Sequence, residues 1–94
     1  MPFERIIFRV HALQRMFERE ISRTEVFEVL SRGEVIENYP EDTPYPSYLL
    51  LGFAQDRPLH IVVADNQKAK ETIIITVYEP DPKIWDEGFK GRKK

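Results

Sequence analysis

The chain contains no cysteine. Neither a disulfide framework nor a thiolate metal site can be built from it, and the composition fits a reducing compartment. Histidine occurs only at His11 and His60, without the His-Glu helical spacing of zinc hydrolases, so no metal is expected. The four glycines are scattered and form no phosphate-cradling loop, and no cofactor is expected. No apolar run approaches the roughly 18–20 residues that span a bilayer. Met1-Pro2-Phe3-Glu4-Arg5 lacks the apolar stretch of a secretion signal, so a cytoplasmic location without a membrane partner is the expectation.

The 94 residues, 41% hydrophobic and 12% aromatic, supply one core and one domain, 1–94. The net charge of −2 is unevenly spread: residues 33–56 carry five acids and no base, while bases gather toward both ends. An acidic chain binds nucleic acid only if its bases converge on one face.

Apolar spacing predicts a helix over His11–Glu20, with Leu13, Met16 and Phe17 on a buried face and His11, Arg15 and Arg19 as a basic stripe. Ser22-Arg23-Thr24-Glu25 reads as a capping box, with Ile21 and Val26 as a hydrophobic staple. It opens a second helix to Arg32, which Gly33 would end in a left-handed conformation. The period then changes to two. Strands are expected at 34–39, 47–54, 59–64 and 72–78, joined by connections short enough to favour antiparallel pairing. Asp81-Pro82 reads as the start of a short last helix that buries Ile84, Trp85 and Phe89. The expected fold class is α+β: an N-terminal helix hairpin, a four-stranded antiparallel sheet and a short C-terminal helix.

Alternation places Leu49, Leu51, Phe53, Leu59, Ile61, Val63, Ile73, Ile75 and Val77 beneath the helices. Tyr48, Leu50, Gly52, His60, Val62, Ile74, Thr76 and Tyr78 fall on the open face. Leu50, Val62 and Ile74 would then form an apolar patch that a partner, or a second copy of the chain, covers.

Three stretches carry a family resemblance: His11-Ala12-Leu13-Gln14-Arg15-Met16-Phe17-Glu18-Arg19; Pro46-Ser47-Tyr48-Leu49 through Gly52 to Arg57-Pro58-Leu59-His60-Ile61-Val62; and Ile75-Thr76-Val77-Tyr78 with Pro80-Asp81-Pro82, Trp85 and Phe89. Over about residues 10–92 the chain resembles the domain-of-unknown-function family 4258, grouped with the RelE-like superfamily of bacterial toxins. The resemblance implies a microbial source, a RelE-like fold and the toxin of a type II toxin–antitoxin pair. Its partners would be a cognate antitoxin and RNA, free or ribosome-bound. Its activity would be RNA cleavage through the ribose 2′-hydroxyl.

Such cleavage needs a base for the 2′-hydroxyl and an acid for the leaving oxygen, and imidazole suits either role. His60 is the first candidate, with Arg57 stabilising phosphate charge and Tyr78 orienting the substrate. His11, Arg15 and Arg19 could clamp phosphates, and Tyr48 could stack on a base. The rival reading is a non-catalytic module that binds a protein on the open sheet face.

Overall fold

The computed structural model describes residues 5–93. Its elements run β1 (Arg5–Phe8), α1 (Val10–Glu18), α2 (Arg23–Arg32), β2 (Glu34–Tyr39), β3 (Ser47–Ala54), β4 (Arg57–Asn66) and β5 (Glu71–Tyr78). The strands form one sheet in the order β1-β5-β4-β3-β2. β2 to β5 are an antiparallel meander, whereas β1 lies parallel to β5, pairing Arg5 with Glu71 and Phe8 with Ile74.

The expected four-stranded antiparallel sheet led by a helix hairpin is therefore corrected to a five-stranded mixed sheet. A strand precedes the helices, and more of the described chain is strand than helix. The sequence Ile6-Ile7-Phe8 has the β-branched and aromatic character of a strand, and its partner lies at the far end of the chain. The expected C-terminal helix is also corrected. Ile84 and Trp85 both donate to the Asp81 carbonyl, but the turn does not propagate. Residues 80–93 form instead an irregular strap, closed by a Trp85–Arg92 bridge.

Helix boundaries follow local chemistry. Ser22 accepts from the Glu25 amide at 3.1 Å while the Glu25 carboxylate accepts from the Ser22 amide at 2.8 Å, the full capping box. Ile21 and Val26, the staple pair, are both buried. Gly33, at φ −73°, is extended rather than left-handed. It is glycine because a Cβ there would lie 2.6 Å from the Val29 carbonyl and 2.9 Å from that of Leu51.

The core lies between the helices and one sheet face, and comprises Ala12, Met16, Val26, Val29 and Leu30 against Leu50, Leu59, Ile61, Val63, Ile74 and Val77. Ile61, Val63 and Val77 are thus placed as expected. β3 is not: Leu50 and Gly52 face α2, and a Cβ on Gly52 would meet Val29 Cγ1 at 2.7 Å. Leu51, paired with His60, faces away, as does Phe53, which is 50% exposed. The β3 phase is off by one residue because Leu49, Leu50 and Leu51 are all buried, so the strand carries no polar alternation to read. In β5 an irregularity opposite Val62/Val63 shifts the parity, so Ile74 and Val77 both point to the core.

The expected apolar patch of Leu50, Val62 and Ile74 does not exist, since Leu50 and Ile74 are core residues. Exposed apolar surface lies instead on α1, where Val10 is 71% and Phe17 87% exposed and Leu13 stands beside them. Only Met16 of the three residues expected on the buried face of α1 is buried.

Candidate functional site

β1 stops at Phe8, and the chain turns into α1 as the Arg9 amide donates to Ile74. The second half of β5 therefore has no strand on its outer side, and α1 packs along it. Between α1, this stretch of β5 and the C-terminal strap lies a cleft of about 640 Å³. Its walls include His11, Arg15 and Arg19 from α1, Thr76 and Tyr78 from β5, and Trp85 from the strap. The basic stripe expected on α1 and the tyrosine expected on β5 are thus brought together. The side chains sit one helical turn apart, so all three bases reach the same side.

Behind Tyr78 lies His60. The two are cross-strand partners in β4 and β5, on the face opposite the helices, as expected from the alternation of those strands. His60 is nonetheless 0% exposed, because the strap covers it: the Trp85 ring stands perpendicular to the imidazole at 4.4 Å. Both ring nitrogens are bonded, Nε2 to the Phe89 carbonyl at 2.7 Å and Nδ1 to the Tyr78 hydroxyl at 3.1 Å. A carbonyl can only accept, so Nε2 carries the proton and Nδ1 accepts from Tyr78. Burial pushes the His60 pKa below its ordinary value, against a smaller opposing pull from the Phe89 carbonyl and the Glu37 charge. The imidazole is held neutral. Burial likewise raises the Tyr78 phenol, which Arg92 partly offsets.

Three further side chains belong to this face and escaped the sequence reading. Glu37 of β2 accepts from the Tyr39 hydroxyl at 2.7 Å, and burial together with that carboxylate pushes the Tyr39 phenol up to about 12. Arg92, stacked 5.4 Å from the Trp85 ring centre, acts on both the Tyr39 and Tyr78 phenols. Arg92 lies in the basic segment at the C-terminal side, and no local motif marks its return to Trp85.

Arg57 occupies a different place. Its guanidinium donates to the Arg19 and Glu20 carbonyls at 2.6 and 3.0 Å and to Glu79 at 2.8 Å, and Glu25 lies 3.5 Å away. It caps the end of α1 and ties both helices to the sheet, with its donors spent on the protein. Tyr48 lies at the other end of the sheet on the helix side, donating to Asp65 at 3.1 Å. Neither belongs to the cleft beside Tyr78.

Arg15 is paired with Glu18 at 3.1 Å in an exposed i,i+3 contact of little energetic weight. His11 and Arg19 have no side-chain partner among the described residues. Two carboxylates also line the cleft, Glu79, which is neutralised by Arg57, and Asp81, which caps the turn into the strap by accepting from the Lys83 amide. Among the described residues no three of His, Asp and Glu gather as a metal-binding group, and no helix is long and apolar enough to cross a membrane.

The family model described as a domain of unknown function, DUF4258, matches residues 8–79. No curated protein and no solved structure matches the chain.

Proposed function

The chain belongs to the DUF4258 family, and from the cleft beside Tyr78 we propose that it is a RelE-like, metal-independent RNA endonuclease, the toxin of a type II toxin–antitoxin pair. One observation carries this reading: a phenol held by a buried neutral imidazole opens into a cleft edged by His11, Arg15 and Arg19. Such bases suit a phosphate backbone.

A substrate cannot touch His60, so this histidine acts through Tyr78 as a positioning residue and proton store. The 2′-hydroxyl proton passes to the Tyr78 oxygen while the Tyr78 proton moves to His60 Nδ1. The 2′-oxygen bonds to phosphorus, the bond from phosphorus to the 5′-oxygen breaks, and His11 or water protonates the 5′-oxygen. Burial disfavours the imidazolium left at His60, and the Phe89 carbonyl and the Glu37 charge offset part of that cost, so it is short-lived and returns its proton through Tyr78 to the group that protonated the 5′-oxygen. Arg15 and Arg19 bind the flanking phosphates.

The antitoxin is the proposed protein partner. Val10, Leu13 and Phe17, exposed on one side of α1, support a protein partner there. The same stripe favours the rival reading, a protein-binding module without catalysis.

Cleavage of RNA in the presence of EDTA decides between them. Tyr78→Phe keeps the ring and removes the hydroxyl, and it is expected to slow cleavage by roughly 10²–10⁴-fold. A wild-type chain that cuts no RNA, with or without ribosomes, leaves the binding module.

A further inference from the structure

A second and larger cleft, of about 860 Å³, lies at the opposite end of β4 and β5 from Tyr78. It forms where the β2–β3 loop, with Pro40, Pro44 and Pro46, meets the turn between β4 and β5. Tyr45 and Tyr48 give it aromatic walls, and Asn38, Asp65 and Asn66 give it polar ones. Its carboxylate is fixed from behind. The Tyr48 hydroxyl donates to Asp65 Oδ2 at 3.1 Å and the Thr72 hydroxyl to Oδ1 at 3.2 Å. Each oxygen keeps a second lone pair. Tyr45 is set in turn by Asn66, whose amide donates to the phenol oxygen at 3.0 Å.

Among the described residues Asp65 is the one carboxylate of the lining, and Lys68, exposed at the mouth, is its one cation. An oriented carboxylate with lone pairs to spare beside two phenol rings suits a cation. Among cations it favours a planar one, because a guanidinium can stack on a ring and donate to a carboxylate together.

We propose that this cleft binds the guanidinium group of an arginine side chain. A volume of 860 Å³ exceeds one such side chain, which leaves room for its neighbours in a polypeptide. The site is independent of the cleft beside Tyr78, so neither stands or falls with the other.

The test is an amide-resolved NMR titration of the intact chain with N-acetyl-arginine amide, with an arginine-centred peptide and with N-acetyl-citrulline amide, the uncharged analogue. Both arginine compounds should shift Tyr45, Tyr48 and Asn66, and the citrulline compound should not. Tighter binding of the peptide identifies a polypeptide as the source, and equal binding a small molecule. Asp65→Asn should weaken binding by about 10–100-fold, the worth of hydrogen bonds to a charged group. Because Asp65 also anchors Tyr48 and Thr72, Tyr45→Ala serves as a second variant that removes a wall and leaves that anchor. Lys68→Gln removes a competing charge and should tighten binding by up to about fivefold, the scale of an exposed pair. Equal response to citrulline, no response to arginine, or unchanged arginine binding in Tyr45→Ala overturns the proposal.

Discussion

His60 Nε2 and the carbonyl oxygen of Phe89 lie 2.7 Å apart, and this contact joins a central strand to the C-terminal strap. Phe89 meets it from an uncommon backbone conformation, φ 60°, which costs a bulky residue roughly 1–2 kcal/mol. Its ring packs edge-on against Phe53 at 6.5 Å, and its amide donates to Asp86. The imidazole is thus one of the strap's anchors on the sheet, beside Phe53 and Glu34, and its protonation state bears on the stability of the whole.

Burial holds the folded-state pKa of His60 below 6.5, so the unfolded chain binds a proton that the folded one refuses. The contribution to stability is complete above the unfolded value and is lost as pH falls below about 6.5 toward the lower folded value. Denaturant unfolding across that window should show stability falling with pH. In His60→Gln, where nothing titrates at this place, the fall should be reduced, and an unchanged slope would remove His60 as its source.

Arg57 and the α1 arginines should separate cleanly. Arg57→Ala strips the Arg19 and Glu20 carbonyls and Glu79 of their donor, and should lower stability by about 2 kcal/mol. RNA affinity measured on the folded fraction should not change. Arg15→Ala or Arg19→Ala should leave stability within about 0.5 kcal/mol, while reducing the salt dependence of RNA binding by about one phosphate contact each. The reverse pattern would return Arg57 to the site.

Gly52 and Val29 are a fitted pair. Gly52→Ala drives a methyl into Val29 Cγ1 at 2.7 Å and should cost about 1–3 kcal/mol. In a Val29→Ala background the same change should cost much less, a coupling that a double-mutant cycle reads directly. Additive losses would show that α2 does not press on β3 at this point.

What the sequence discloses follows how local each signal is. The capping box at Ser22 and Glu25 is written within four residues and forms as read. The meander strands follow from short turns; the one after Ala54 is a two-residue turn with Gln55 and Asp56 both at positive φ. The basic stripe of α1 is legible because helical spacing is, and so is the shared face of His60 and Tyr78. Distant relations are not written locally. β1 pairs with a strand at the other end of the chain, the β5 irregularity is invisible in a row of three isoleucines, and the β3 leucines give no phase because both faces are covered. The Asp81-Pro82 signal produces a first turn, yet Trp85 is drawn down onto His60 and the helix never develops. Short helices need a packed face to persist, and here the apolar residues are spent on the strap.

The parallel pairing of Arg5 with Glu71 joins the first described strand to the last. The meander from β2 to β5 pairs sequence neighbours, whereas β1 reaches its partner across the whole of the helices and the meander. β1 is a clasp. It leads directly into α1, which carries His11, Arg15 and Arg19, so the basic wall of the cleft is tethered to the sheet through this pairing and through the packing of α1 on β5. The His60–Tyr78 pair belongs to the meander and the basic wall to the segment that β1 anchors. The two sides of the cleft thus come from separate parts of the chain, and the register of the clasp fixes their spacing.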